Sequence, residues 1–142
     1  MEATTFVEVQ QLYARQSHLI DSGRAEEWAR TFTEDGEFHS PSYPGPVIGR
    51  QALRAFAERF TKDARDAGEV RRHVITNVFA EPGSSGELQV SAYLQVIATA
   101  VTGLTRTLRF TTVHDRLRRD GDTWYTARRE VHRDDLPARE RP

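Results

Sequence analysis

Two groups able to move protons stand out in this 142-residue chain, a carboxylate, Asp21, and an imidazole, His73. Asp21 closes the helical pattern of the N-terminal segment, directly before Ser22 and Gly23. There it faces the negative end of the helix dipole, which disfavours the charged carboxylate. Apolar surroundings would act the same way and bring proton exchange near neutral pH within reach. Standing in water, it would be no more than a helix-ending aspartate. His73 follows Arg71-Arg72 in a strand-like run over 70–81. Alternation puts His73, Ile75, Asn77 and Phe79 on one face of that run, and Val74, Thr76, Val78 and Ala80 on the other. An imidazole in this place can take or give a proton near neutrality, or simply be a hydrogen-bonded structural residue.

Hydroxyls and further imidazoles are candidates for holding a substrate. Tyr13 lies two turns before Asp21, within the apolar stripe, where a buried hydroxyl needs a partner. Tyr43 sits in the Pro41-Ser-Tyr-Pro44 loop, Tyr93 in a later strand, and His39 where the first strand enters the proline loop. His18 falls opposite the helix stripe and should be solvated or at an interface. His114 and His132 are strand residues whose facing the pattern leaves open, and Trp28 and Trp124 read as core. No His-x-x-x-His, Glu-x-x-His, phosphate loop or Gly-x-Ser-x-Gly elbow occurs, so metal, nucleotide and serine-nucleophile chemistry lack a motif. Arg116 to Arg119 and Arg128-Arg129 read as solvated strand ends or ion-pair partners.

Helices come first along the chain. Thr5-x-x-Glu8 has the form of a capping box, and Phe6, Val9, Leu12, Tyr13, Gln16, Leu19 and Ile20 follow helical spacing up to a glycine stop at Gly23. A short helix is expected over 24–32, a strand from about Glu37 after an Asp35-Gly36 turn, and a loop with three prolines from Pro41 to Gly49. Residues 50–65 form a third helix with Leu53, Phe56, Ala57, Phe60 and Ala64 on one side. Runs rich in Val, Thr, Ile, Tyr and Phe then span 70–81, 87–101, 105–118 and 123–133. Turn signals between them predict an antiparallel meander. The order implies an α+β fold, with three helices packed on one face of a curved antiparallel sheet.

Composition bounds the function. One domain over 5–135 with a flexible tail at 136–142 is expected. With 37% hydrophobic and 29% charged residues and a net charge of −1, nothing favours nucleic acid or an anionic lipid surface. No apolar run approaches a membrane span, and the N-terminus lacks the basic and apolar regions of a signal peptide, so a cytoplasmic location is the expectation. The chain has no cysteine, hence no disulfide, thiolate nucleophile or sulfur-bound metal.

The stretch from Leu12 to Trp28, Phe32-Thr-Glu-Asp-Gly-Glu-Phe38, Gly49-Arg50, Arg72-His73-Val74 and Asp120-Gly-Asp-Thr-Trp124 occur in an order that resembles the SnoaL-like and scytalone dehydratase-like branch of the nuclear transport factor 2-like superfamily. That resemblance implies a cone-shaped pocket in which Asp21 and His73 meet, Asp21 fixing one tautomer so that the other ring nitrogen handles protons. It also implies a pocket hydroxyl from Tyr13, as in ketosteroid isomerase-like relatives, and places His39 near the pocket mouth. The stretch Tyr93 to Ala100 lacks the second histidine of scytalone dehydratase-like sites, which leaves a single Asp–His pair.

The implied activity is cofactor-free dehydration, cyclisation or isomerisation of an aromatic or polycyclic, polyketide-like molecule. The alternatives are a non-catalytic binding or accessory subunit of oxygenase β-subunit type, or an epoxide-opening enzyme. A homodimer is expected, covering apolar residues such as Val74, Thr76 and Val78 on the outer sheet face.

Overall fold

Three helices lie against one face of a curved six-stranded sheet. The computed structural model describes residues 1–135; the tail expected at 136–142 lies outside the described residues. The elements are α1 (Ala3–Asp21), α2 (Ala25–Ala29), β1 (Phe32–His39), β2 (Val47–Ile48), α3 (Arg50–Asp66), β3 (Glu69–Pro82), β4 (Leu88–Ala100), β5 (Thr105–Asp120) and β6 (Thr123–Arg133). Strand order is β2-β1-β6-β5-β4-β3, and β3 to β6 form the expected antiparallel meander. β1 breaks the antiparallel rule. It runs parallel to β6, so the sheet is mixed at that edge.

The stripe of α1 buries Val9, Leu12, Tyr13, Gln16, Ser17, Leu19 and Ile20. It starts at Val9, because Phe6 keeps 38% of its surface exposed. Thr5 and Glu8 do not form a capping box. The helix begins earlier, at Ala3, and Glu8 accepts a hydrogen bond from the Trp124 indole instead (3.1 Å). The other end follows the sequence closely. Gly23, at φ +78°, closes a Schellman turn in which Gly23 N–H donates to Ile20 O and Arg24 N–H to Leu19 O. That turn holds Asp21 at the last helical position, beside the sheet.

The second helix is shorter than expected and ends at Ala29, so β1 starts at Phe32 rather than near Glu37. Asp35-Gly36 lies inside β1 as an irregularity in its pairing with β6, not ahead of the strand as a turn. A Cβ on Gly36 would come within 2.8 Å of Phe32 Cβ, so only glycine fits this fold of the strand on itself. α3 buries the five residues its spacing predicts.

β3 carries the larger correction. Its alternation holds from Glu69 to Thr76 and then slips, with Asn77 at φ 55° and a register shift between Thr76 and Phe79. Val78 and Ala80 therefore turn inward, while Phe79 points out, 63% exposed.

Two apolar clusters result. One, around Trp28, Phe32, Phe38, Leu53 and Phe56, lies under α2 and α3. The other, around Val9, Leu12, Leu117 and Trp124, lies under the first half of α1. Among the described residues no helix is long and apolar enough to cross a membrane.

Candidate active site

Between the helices and the inner sheet face lies a narrow slot. About 40 Å³ of it is open to the centre of a water molecule. Its walls are mostly apolar, from Ile20, Trp28, Phe38, Phe56, Phe60, Ile75, Leu94, Val96 and Val131. The polar lining is sparse. Ser17 and His73 stand along the wall, Gln16 and Arg129 at the buried end, and Ser40, Ser42, Tyr43, Arg109 and Thr111 where the slot meets surface clefts.

Asp21 reaches His73 in two ways. Its Oδ2 accepts the His73 backbone N–H at 2.9 Å, and its Oδ1 lies 2.6 Å from ring Nδ1. β3 is the edge strand, so its outward N–H groups need partners from elsewhere; the carboxylate supplies one and grips the ring above it. The two side chains are only 7% and 15% exposed, and the imidazole packs on Phe60 at 4.8 Å between centroids. A carboxylate at Nδ1 fixes the proton there and frees Nε2 as the acceptor.

The buried end is an ionic network. Asp115 and Arg129 are cross-strand partners, and the Arg129 guanidinium donates to both Asp115 oxygens at 2.8–3.1 Å and to Gln16 Oε1 at 2.9 Å. Gln16 in turn donates to Thr31 and Thr126. Burial alone would weaken the hold of Arg129 on its proton, but the Asp115 charge outweighs it, and the group stays charged at any working pH.

Tyr13 belongs to this network, outside the slot lining: its hydroxyl donates to Asp115 Oδ2 at 2.5 Å. Burial, reinforced by the Asp115 charge, pushes that hydroxyl well above the ordinary tyrosine range, so it remains a donor.

Of the hydroxyls and imidazoles expected in the pocket, Tyr43 alone joins His73. Its ring leans on Phe56, and its oxygen accepts from Arg109 Nη1 at 2.7 Å, which leaves the phenol proton free to donate. Tyr93 is on the outer sheet face, 45% exposed, against Phe110, because strand alternation turns it away from its inward neighbours Ala92 and Leu94. His39 is also turned away from the slot, since Phe38 takes the inward position; it lies 2.8 Å from Glu37 in a shallow cleft with Arg128 and His132. His18 is exposed, as expected. His114 and His132 stack at 4.6 Å on the outer face.

Ser17, Arg109 and Arg129 are site residues that spacing alone did not single out, whereas Gln16 has its place in the helix stripe. Ser17 is the most telling, because its hydroxyl is buried without a hydrogen-bond partner while it lines the slot. Arg128 is the ion-paired strand residue that was expected, to Glu130 and Glu37. Its neighbour Arg129 is buried to 5% exposure, the reverse of a solvated end. Counting back by twos from Val131 would have placed it inward.

The match to the SnoaL-like domain covers residues 1–130. The chain belongs to the SnoaL-like family. A SnoaL-like fold of this kind recurs in a protein from Catenulispora acidiphila solved in complex with S-DNPA. It is 36% identical, over 94% of this chain and 96% of that one, with a TM-score of 0.81. Aln2 from a Streptomyces species is 30% identical over 99% of both chains, with a TM-score of 0.87. An NTF2-like protein with a cystatin-like fold from Novosphingobium aromaticivorans, 24% identical over 93% of this chain and 83% of that one (TM-score 0.81), shares the architecture. No match is found among the curated proteins.

Proposed function

We propose that the protein is a cofactor-free acid–base enzyme, a dehydratase, cyclase or isomerase, acting on an aromatic or polycyclic, polyketide-like molecule. The observation that carries this reading is the Asp21–His73 pair, buried and doubly bonded, on the wall of an apolar slot. His73 Nε2 removes a proton from a carbon next to a substrate carbonyl. The electron pair moves onto the carbonyl oxygen, and Asp21 stabilises the imidazolium that forms. The proton then returns to another carbon in isomerisation, to a departing hydroxyl in dehydration, or to the new alcohol in an aldol ring closure.

Tyr43 donates to the oxygen that becomes negative. A single well-placed donor of this type contributes about 3 kcal/mol to the transition state. The unpartnered Ser17 hydroxyl offers a second polar contact along the same wall. The SnoaL-like family, with its acid–base members, and the S-DNPA complex of the Catenulispora protein support a small-molecule ligand here.

The test is proton exchange. In D2O, the protein should speed deuterium uptake at the enolisable positions of a bicyclic ketone such as 2-tetralone, read by NMR. His73→Gln should lose about 10²–10⁴ of that acceleration. Equal exchange by both proteins would remove the acid–base role and leave a binding protein.

The outer sheet face supports a homodimer, through a patch that keeps Val74 and Thr76 of the expected residues but not Val78. Val70, Val74, Phe79, Tyr93 and Phe110 are among its exposed apolar side chains, and the slip at Asn77 turns Val78 inward.

A further inference from the structure

Tyr13, Ser17 and Asp21 are spaced four residues apart and stand in one row along α1. The sheet matches the two ends of that row. Tyr13 donates to Asp115 on β5, and Asp21 accepts from His73 on β3. Ser17, between them, is 9% exposed, and its hydroxyl has no hydrogen-bond partner among the described residues. A helical serine commonly donates back to the carbonyl four residues earlier. Ser22 and Thr61 of this chain do so, to His18 and Ala57. Ser17 does not, and it lines the slot.

Its polar neighbours are already engaged. Gln16 and Arg129 direct their hydrogen bonds to each other and to Thr31, Thr126 and Asp115. Alanine in place of Ser17 would suit the apolar wall better, because a buried hydroxyl without a partner costs free energy until something entering the slot completes it. One helical turn, about 6 Å, separates Ser17 from Asp21. The hydroxyl therefore stands beside the imidazole that Asp21 holds, on the side toward the buried end.

Resting on the reading of the slot as a substrate site, we propose that Ser17 is a specificity-determining residue, pairing with a phenol or ring-ketone oxygen on the inner ring of the ligand. That oxygen lies on a different ring from the carbon that His73 deprotonates. A neutral oxygen suits the place, since Arg129 and Asp115 already cancel each other's charge and a hydroxyl both donates and accepts. A plain hydrocarbon ring fills the same space but leaves the serine unpaired, and that loss is what discriminates against it.

The test is binding by calorimetry, with 2-tetralone and its 5-, 6-, 7- and 8-hydroxy derivatives, which carry the phenol on the ring remote from the ketone. At least one of the four should bind about fivefold or more tightly than 2-tetralone. Ser17→Ala should bring that isomer to the affinity of 2-tetralone, while 2-tetralone itself stays within about twofold. The urea midpoint of unliganded Ser17→Ala should hold or rise, whereas loss of a structural hydroxyl would lower it. His73→Gln should keep the preference while losing deuterium exchange, so failure of the acid–base reading and failure of this one show in different measurements. No isomer preferred over 2-tetralone, no binding of any of the five, a preference that survives Ser17→Ala, or a lowered midpoint would each overturn the proposal.

Discussion

The Tyr13 hydroxyl donates to Asp115 across 102 residues of chain, at 2.5 Å, and that bond takes it out of the slot. Tyr13 and Tyr43 thus separate into a structural and a site hydroxyl. Tyr13→Phe should destabilise the protein by about 1 kcal/mol, because a buried Asp115 oxygen loses one of its donors while keeping those from Arg129, with turnover per folded molecule kept. Tyr43→Phe should do the opposite, leaving the urea midpoint nearly unchanged while slowing catalysis. If Tyr13→Phe lowers kcat at full stability, the assignment of the two hydroxyls is reversed.

Asp21 and His73 should behave as one unit. Asp21→Asn removes the carboxylate that keeps the proton on Nδ1, so it should slow turnover nearly as far as His73→Gln, by about 10²–10⁴. The double variant should then be little worse than either single one. Additive losses would mean that the two act separately.

Arg129 and Asp115 should stabilise the protein only together. Arg129→Met strands a buried charge and should cost about 3–5 kcal/mol in urea or thermal denaturation. Adding Asp115→Asn removes that charge and should recover a good part of the loss. Failure to recover any would place the cost in packing against Tyr13 and Phe32, whose rings lie 5.6 and 5.8 Å from the guanidinium.

The helix pattern, the meander and the meeting of Asp21 with His73 were legible in the sequence because their signals are local or carried by family order. Periods of 3.6 and 2, and glycine at Gly23, act within a few residues. The buried ionic end was not legible. Gln16, Asp115 and Arg129 come from α1, β5 and β6, and only their pairing makes burial of the charges tolerable. Tyr93 and His39 were misplaced for a simpler reason, since a residue in a strand faces whichever side its neighbours do not. The slip in β3 was invisible because Asn77 in a left-handed conformation leaves no mark on an alternating run.

His114 gives the protein a mild acid sensitivity. Burial, then the neighbouring His132, depress its pKa below the ordinary value of about 6.5. The unfolded chain therefore binds more protons than the folded one just below that value, so stability present above pH 6.5 is lost as the pH falls through the lowered one. His114→Gln should flatten the change in urea midpoint between about pH 7.5 and 5.5. An unaltered slope would assign the effect elsewhere. Glu130, whose pKa is lowered by Arg128, acts in a separate and more acidic window.

The outer face should hold two chains together. Phe110→Glu, on its exposed apolar patch, should convert a dimer to a monomer in light scattering without changing the far-UV spectrum. A wild type that is already monomeric at micromolar concentration would end the dimer proposal.

The extra residue at Asn77 divides β3 into two halves that answer to different neighbours. Ahead of it, Arg71, His73 and Ile75 keep step with the slot; behind it, Val78 and Ala80 keep step with the cluster beneath α1. A change in length or phase in the second half can be taken up at this joint without rotating His73 away from Asp21. Substrate choice and structural packing can therefore drift separately along one continuous strand.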